Sequence, residues 1–394
     1  MMIPSSKKGR MTAVDAGKDA EAPSLCYFGT YESAYPRNRM LIKALRQSGW
    51  TVTECHVPLW EQQEHKGASF GLSPGFALQV LTAQVKLLVK YLSQPRHDVV
   101  MVGYIGHLDM FLAWILTRFS RTKLVFNPLV SMFDTVVGDR GFASSESLKG
   151  RLFRWIDRVA CRLSDLVLLD TDAHIEYFRD VLGLGSVPFR KLWVGADDEV
   201  FFPNDTEGEN GEFNVVFIGK FIPLHGLHKI LEMAKWVEDE ERIRFTIVGT
   251  GQLHDEIHAQ RDRLALSNSE FIDWIEYNAL GELMSKADLV LGIFGDSDKS
   301  RRVIPNKLYQ ALAVGKAVLT ADTPAVRELL TDGVDVFLSE AEPEAMATRL
   351  KQIFADRGKV KLVAQKGYKR FKDSADLSSL GRSLDGQLRE LIYG

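Results

Sequence analysis

Two tandem doubly wound α/β domains are what this sequence predicts, on three observations. Short apolar runs alternate with helical patterns from residue 24 onward. The alternation breaks at residues 203–212 (PNDTEGENGE), and a second series of the same kind begins at Val215. Continuous apolar strands between helices belong to parallel sheets covered on both faces. A length of 394 residues accommodates two domains of ordinary size.

In the first series, strands are expected at Ser24–Gly29, Thr51–Val57, Val99–Val102, Lys123–Phe126 and Leu166–Leu169. Helices are expected at Met40–Ser48, Phe76–Leu92, Met110–Arg118 and Leu148–Leu163. The second series places strands at Val215–Ile218, Arg244–Val248, Phe271–Trp274, Leu289–Phe294, Ala317–Thr320 and Val334–Leu338. Its helices are Leu227–Val237, Leu253–Leu264, Leu280–Ser285, Asn306–Val314 and Pro324–Leu330, then Glu342–Phe354 and Val360–Phe371. A last helix, Leu377–Leu391, repeats leucine at 377, 380, 384, 388 and 391, a stripe that must be buried somewhere. The expected organisation is a disordered leader at 1–22, a domain at 23–202, a linker at 203–212, a second domain at 213–375 and a closing helix at 376–394.

Composition narrows the function. Hydrophobic residues at 45% and charged residues at 26% are the balance of a globular protein, and a net charge of −3 argues against nucleic acid as a partner. Cys26, Cys55 and Cys161 stand in no metal-ligand spacing and are too few for a disulfide scaffold, which favours the reducing cytoplasm. Residues 1–22 lack an apolar segment and read as a leader rather than a signal peptide, with Met1 or Met11 as the start. No run reaches the roughly 18 apolar residues that span a bilayer. The helices at 76–92, with Lys86 and Lys90, and at 148–163, with Arg151, Arg154, Arg158 and Arg162, either cover the sheet or lie on the inner face of an anionic membrane.

In doubly wound sheets ligands bind beyond the carboxyl ends of the strands, so the strand-to-helix loops carry the chemistry. One loop, VVFIGKFIPLHGLHKIL, sets Lys220 and His225 between Gly219 and Gly226, where backbone amides at a helix start can hold a diphosphate. It also reads as an ordinary loop with a surface lysine. A second loop, GIFGDSDKSRRVIPNKLYQALAVGKAV, places Lys299, Arg301, Arg302 and Lys307 at the end of a buried strand, which favours an anion site over a solvated face. The Gly249–Gly251 pair lacks the third glycine of a dinucleotide fingerprint, and Asp296-Ser297-Asp298 reads as a polar turn more readily than as a metal site.

These loops resemble those of the large retaining GT-B glycosyltransferase family, family four (glycosyl transferases group 1). The segment FIGKFIPLHG is similar to its G-R-x-x-x-x-K-G phosphate loop, with Lys220 at the arginine position and His225 at the lysine position. PNKLYQALAVGKAV is similar to its E-A-M-A-x-G-x-P-V helix, with Gln310 and Arg302 standing where two glutamates are usual. PAVREL brings Glu328 to another matching position, and GTYESAYPRNRMLIKALRQSGWTV is similar to the family's opening loop and helix.

The resemblance implies a GT-B fold of two Rossmann-like domains and a retaining transfer without metal or further cofactor. The donor would be a nucleotide-diphosphate sugar, and the acceptor a saccharide or lipid-linked molecule. It assigns Lys220 and Lys307 to the leaving diphosphate, and Gly219, His225, Gly226, Arg302, Asn306 and Gln310 to donor phosphate and sugar. Trp274 and Ile275 go to the base and Glu328 to a ribose hydroxyl. On the acceptor side stand Arg37, His107 in the loop Gly106–Asp109, and Asp109 itself, with Asp134 or Asp139 as the second choice to His107. Two other readings remain: a non-catalytic nucleotide-sugar-binding subunit, which Arg302 and Gln310 favour, and an NAD-dependent nucleotide-sugar oxidoreductase, for which the first domain lacks the glycine fingerprint.

Overall fold

A computed structural model of the chain describes residues 22–60, 74–204 and 211–394. Residues 1–21 of the expected leader and most of the expected linker lie outside the described residues. Two six-stranded parallel sheets form the two layers around which the helices pack.

In the first sheet β1 (Ser24–Gly29), β2 (Thr51–His56), β3 (Val99–Val102), β4 (Lys123–Phe126), β5 (Leu166–Leu169) and β6 (Phe189–Lys191) lie in the order β2-β1-β3-β4-β5-β6. Every residue of β3 and β5 is buried, as the unbroken VVMV and LVLL runs require. Helices α1 (Pro36–Gln47), α2 (Pro74–Leu92), α3 (Asp109–Thr117), α4 (Leu148–Arg162) and α5 (Asp172–Asp180) connect them. The sequence reading passed over α5 and β6. The helix is polar, DAHIEYFRD, and starts because Thr171 accepts a hydrogen bond from His174 N at 3.0 Å; the strand has only three residues.

The second sheet holds β7 (Phe213–Ile218), β8 (Ile243–Val248), β9 (Ser269–Ile272), β10 (Leu289–Leu291), β11 (Ala317–Ala321) and β12 (Phe337–Ser339) in the order β12-β11-β10-β7-β8-β9. Its helices are α6 (Leu227–Trp236), α7 (His254–Leu264), α8 (Leu280–Ser285), α9 (Asn306–Ala313), α10 (Pro324–Arg327), α11 (Pro343–Ala355) and α12 (Arg357–Ser374). β9 ends at Ile272, earlier than its aromatic residues suggest, so Trp274 falls in the following loop. β10 ends at Leu291, short of the expected Phe294, and Gly292 after it lies against Thr320, where a Cβ would come 2.2 Å from Oγ1. In each sheet the strand order reverses beside the first strand of its series, β1 or β7. The loops after these strands therefore open at the positions where such folds bind ligands.

The last helix, α13 (Leu377–Tyr393), crosses back to the first domain. Leu377, Leu380, Leu384 and Leu388 are buried with Leu25, Leu41, Leu45 and Trp50, and Leu391 packs at the rim of the same cluster. Gly381 permits the approach: a Cβ there would lie 2.5 Å from Ser48 Oγ and 3.0 Å from Ala44 O. Trp50 Nε1 donates to Asp385 at 2.7 Å, and Gln387 Nε2 donates to Lys191 O at 3.0 Å.

Helix α2 behaves differently. Ala83 and Leu87 face the core, while Leu78, Leu81, Val85, Val89 and Leu92 are each more than half exposed. Among the described residues no helix is long and apolar enough to cross a membrane.

Leu384→Ala should cost about 2–5 kcal/mol, the range of a buried leucine truncation. Removal of residues 376–394 should accelerate hydrogen exchange in β1, β3 and α1 more than in β7, β8 and α6. Equal loss of protection in both domains would show that α13 does not serve the first domain in particular.

Candidate active site

The loop after β7 turns back under its own side chains. Gly226 adopts a left-handed conformation, with φ +65°, and a Cβ on it would sit 2.4 Å from the Phe294 carbonyl carbon and 2.7 Å from Gly295 N. Only glycine allows these two strand-end loops to touch through their backbones. The contact is sealed by Phe294 N donating to His225 O at 3.1 Å. Gly249 and Gly251 act likewise beneath the loop: a Cβ on Gly249 would lie 2.0 Å from Gly219 O, and one on Gly251 2.9 Å from Phe221 N. The incomplete glycine pattern is thus a packing device for this loop.

Lys307, in the first turn of α9, reaches the same place. A Cβ on Gly219 would meet Lys307 Nζ at 2.6 Å and His225 Cε1 at 2.9 Å. The ammonium is buried, lies 3.7 Å from the centroid of the Phe217 ring, and has no hydrogen-bond acceptor among the described residues. Burial drives its pKa well below the ordinary lysine value. His225 holds the Lys220 carbonyl oxygen at 2.5 Å through Nδ1. Burial, then the positive charge of Lys307, keeps this imidazole well below its usual pKa; Arg140 and Lys220 push the same way. Arg140 comes from the first domain, and its Nη1 donates to Gln252 Oε1 at 3.3 Å across the cleft. Lys307, Lys220 and Arg140 therefore place positive charge around the His225 imidazole at the carboxyl end of β7, with Arg140 Nε also 3.6 Å from Asp139 Oδ2.

Two other cations of the second loop, Arg302 and Lys299, are neutralised from the first domain. Arg302 Nη2 pairs with Asp134 Oδ1 at 2.9 Å and its guanidinium lies 4.0 Å from the centroid of the Tyr177 ring. Lys299 Nζ donates to Thr135 Oγ1 at 3.0 Å and lies 3.4 Å from Asp139 Oδ2. Arg302 and Asp134, assigned from sequence to the donor and the acceptor, are instead partners in the domain interface. Asp296 pairs with Lys229 at 2.5 Å, and Ser297 accepts from Ser300 N at 3.3 Å to start a short turn, so this segment is a salt bridge and a cap.

Residues 212–356 match the sequence profile of the family described as glycosyl transferases group 1. This part of the chain is therefore similar to the group 1 glycosyltransferases. The protein is also similar to WcaI of Escherichia coli strain K12, named as a colanic acid biosynthesis glycosyl transferase, at 27% identity over 185 residues. That match covers 40% of this chain and 44% of WcaI, so less than half of either is aligned. Among solved structures, sucrose-phosphate synthase from Thermosynechococcus elongatus superposes with a TM-score of 0.74 at 14% identity, covering 94% of this chain and 99% of that one. Anabaena HepE, solved with UDP and glucose, gives 0.64 at 16% identity over 93% of this chain and 99% of its own. The whole chain has the GT-B fold.

Within that fold, several residues assigned from sequence lie away from the pocket of the second domain. Arg37 is wholly buried; its Nη1 donates to Leu192 O at 2.7 Å and Trp193 O at 2.5 Å, and its Nε to Asn127 Oδ1 at 3.0 Å. It ties the segment after β6 to the sheet and does not face an acceptor. Asp109 accepts from Thr30 N at 2.7 Å and from Gln84 Nε2 at 2.6 Å, in a site where burial raises its pKa. His107 is buried, its ring edge against Phe126 and its Nε2 3.2 Å from Asp157 Oδ1. Asp157 in turn accepts from Met132 N and Phe133 N at 3.0 and 2.9 Å, so His107 supports the loop that carries Asp134 and is shielded from solvent.

On the donor side, Glu328 accepts from Asp172 N at 2.8 Å, Ala173 N at 2.9 Å and Lys191 Nζ at 3.0 Å. It caps α5 across the interface, with three contacts from the first domain on its carboxylate. Asn306 and Gln310 lie on α9 with Lys307, and Gln310 is buried. Trp274 is exposed beside the half-buried Ile275 in the loop after β9. Arg140 was missed, because a lone arginine in VVGDRGF has no local pattern to mark it.

Lys307→Met removes a desolvated amine while keeping the apolar stem. It should raise the Tm by about 2–4 °C, the shift expected of roughly 1 kcal/mol in a domain of this size. A fall in Tm by calorimetry would mean that the ammonium has a stabilising partner.

Proposed function

We propose that this protein is a glycosyltransferase that moves a hexose-type sugar from a nucleoside-diphosphate donor to a saccharide or lipid-linked acceptor. The observation that carries the reading is the Lys307 ammonium, buried without a hydrogen-bond acceptor at the carboxyl end of β7 and ringed by Lys220, His225 and Arg140. Burying such a charge is costly, and a diphosphate would offset the cost by accepting its hydrogen bonds. The negative charge that develops on the leaving diphosphate would meet donors already in place. Gly219 leaves the pocket open to the backbone, as a close phosphate approach requires. The names of WcaI and HepE, the one a glycosyl transferase and the other solved with UDP and glucose, support this choice of chemistry.

Retention at the sugar carbon follows from the resemblance of Phe217–Gly226 and Pro305–Val318 to the retaining family. The chemical step uses cations of the chain and neither a metal nor a further cofactor. The exposed apolar side of α2, with Lys86 and Lys90 on the same helix, supports work at an anionic membrane surface on the cytoplasmic side, where a lipid-linked acceptor would lie. A second reading, a subunit that binds nucleotide sugar without transferring it, is favoured by Arg302: it stands where the family has a glutamate and pairs with Asp134. Release of nucleoside diphosphate from donor by the purified protein separates the two.

Lys307→Ala and Lys220→Ala should each weaken nucleoside-diphosphate binding at least tenfold and leave circular dichroism unchanged; unaltered affinity in both would sink the diphosphate site. Because burial depresses the Lys307 pKa and an anion restores it, binding should take up protons. Affinity should therefore fall as pH rises through the depressed value. Calorimetry in buffers of different ionisation enthalpy should show this proton uptake in the wild type and lose it in Lys307→Met.

For the transfer reaction itself, kcat should survive EDTA. Abolition by EDTA with recovery in manganese would replace the metal-free step by a metal-dependent one.

A further inference from the structure

The second domain carries a cluster that the transfer reaction does not use. Helix α7 begins HDEIH, and its period sets His254 and His258 on one face a turn apart. The two ring centroids are 4.3 Å apart. Asp273, just past the end of β9, brings Oδ1 to 3.5 Å from His254 Nε2 and 3.8 Å from His258 Nε2. One ligand atom from each of the three residues falls within 4.8 Å of the other two.

We propose that His254, His258 and Asp273 form a binding site for a zinc-class divalent metal ion, which would join the start of α7 to the loop after β9. Two imidazoles and a carboxylate are a donor set suited to such ions. Tetrahedral coordination with bonds of about 2.0–2.1 Å places ligand atoms about 3.3–3.4 Å apart. Both histidine–aspartate separations are within half an ångström of that spacing, and side-chain rotation would bring all three ligand atoms, which lie within 4.8 Å of one another, onto one ion. His258 Nε2 is shielded from solvent and makes no hydrogen bond among the described residues. An ion pair between His254 and Asp273 would therefore leave the second imidazole unused, whereas a shared metal employs all three groups.

The surroundings suit the role. His254 Nδ1 lies 3.2 Å from Asp255 Oδ1, the carboxylate–imidazole contact that orients a metal-bound histidine. Phe221 stacks on the His254 ring at 6.3 Å, and Phe271 lies 5.3 Å from His258, so aromatic walls hold both rings. Arg261, a cation one turn further along α7, is paired with Asp262 at 2.7 Å. Asp273 is largely exposed, which leaves a fourth coordination position for water. The neighbour of Asp273 is Trp274, so the ion would also fix the loop on which that ring stands. The proposal depends on these donors alone and stands or falls apart from the diphosphate pocket.

The test titrates the full chain, stripped with chelator and dialysed, with zinc chloride by calorimetry in the absence of any nucleotide. A single ion per chain should bind, and His258→Asn and Asp273→Asn should each weaken it by about tenfold or more. His228→Asn, on α6, should leave it unchanged. Cobalt should give the visible absorption of a tetrahedral site in the wild type and lose it in Asp273→Asn. Circular dichroism confirms that each variant is folded. Equal zinc affinity in the wild type, His258→Asn and Asp273→Asn, or no binding to the wild type, would overturn the proposal.

Discussion

Two strand-end loops of the second domain meet backbone to backbone at Gly226, and the geometry of the proposed donor pocket depends on that contact. With no Cβ in the way, the turn after β7 lies against Phe294 and Gly295. His225 is thereby fixed both through its carbonyl, which accepts from Phe294 N, and through its ring, which meets the Lys220 carbonyl. The same closeness leaves room beside Gly219 for the Lys307 ammonium, which arrives from the helix that follows β10. A side chain at residue 226 would separate the loops, and the cations would no longer share one pocket.

The second constraint is charge, distributed between the domains. The loop after β10 carries a dense run of cations, and the first domain answers with Asp134 and Asp139 on the turn Asp134–Asp139. Glu328 answers in the other direction by capping the start of α5 and pairing with Lys191. These contacts hold the two domains together at one side of the cleft. Lys307 has no such partner, which is why an anion from outside the chain is the natural complement of the pocket. The interface side is satisfied internally, while the pocket side is positive. Opening the cleft would break the Asp134–Arg302 and Glu328 contacts together, so any hinge motion is coupled to both.

Helices α13 and α2 add two further features. Helix α13 binds the first domain through its leucine stripe, so the polypeptide visits the domains in the order first, second, first. That route ties the two halves by a covalent crossover in addition to the interface salt bridges. Helix α2 keeps Ala83 and Leu87 inward and turns a row of larger aliphatic side chains outward. A row of this kind is unusual on a face meant only for water, and it gives the first domain a surface of different character from the charged second.

Much of the fold is legible locally. The limits of β3, β4 and β5 coincide with their apolar runs, and the stripe at 377–391 marks a helix that must bury one face. These features depend on periodicity and residue type, which neighbours in sequence express directly. The meeting of Gly219, His225 and Lys307 was also within reach, because both loops follow strands of one sheet.

Tertiary structure alone decided the rest. Arg302 looks like an anion ligand in its own segment, but an aspartate 168 residues away in sequence neutralises it. Arg37, His107 and Asp109 look like loop residues open to substrate, yet their partners at Leu192, Asp157 and Thr30 bury them. The spacing of His254 and His258 is visible on α7, but Asp273 joins them only because β9 returns the chain to that helix. A charged or polar side chain takes its role from what lies opposite it in space. Local sequence specifies the group, and only the packing of distant segments specifies its partner.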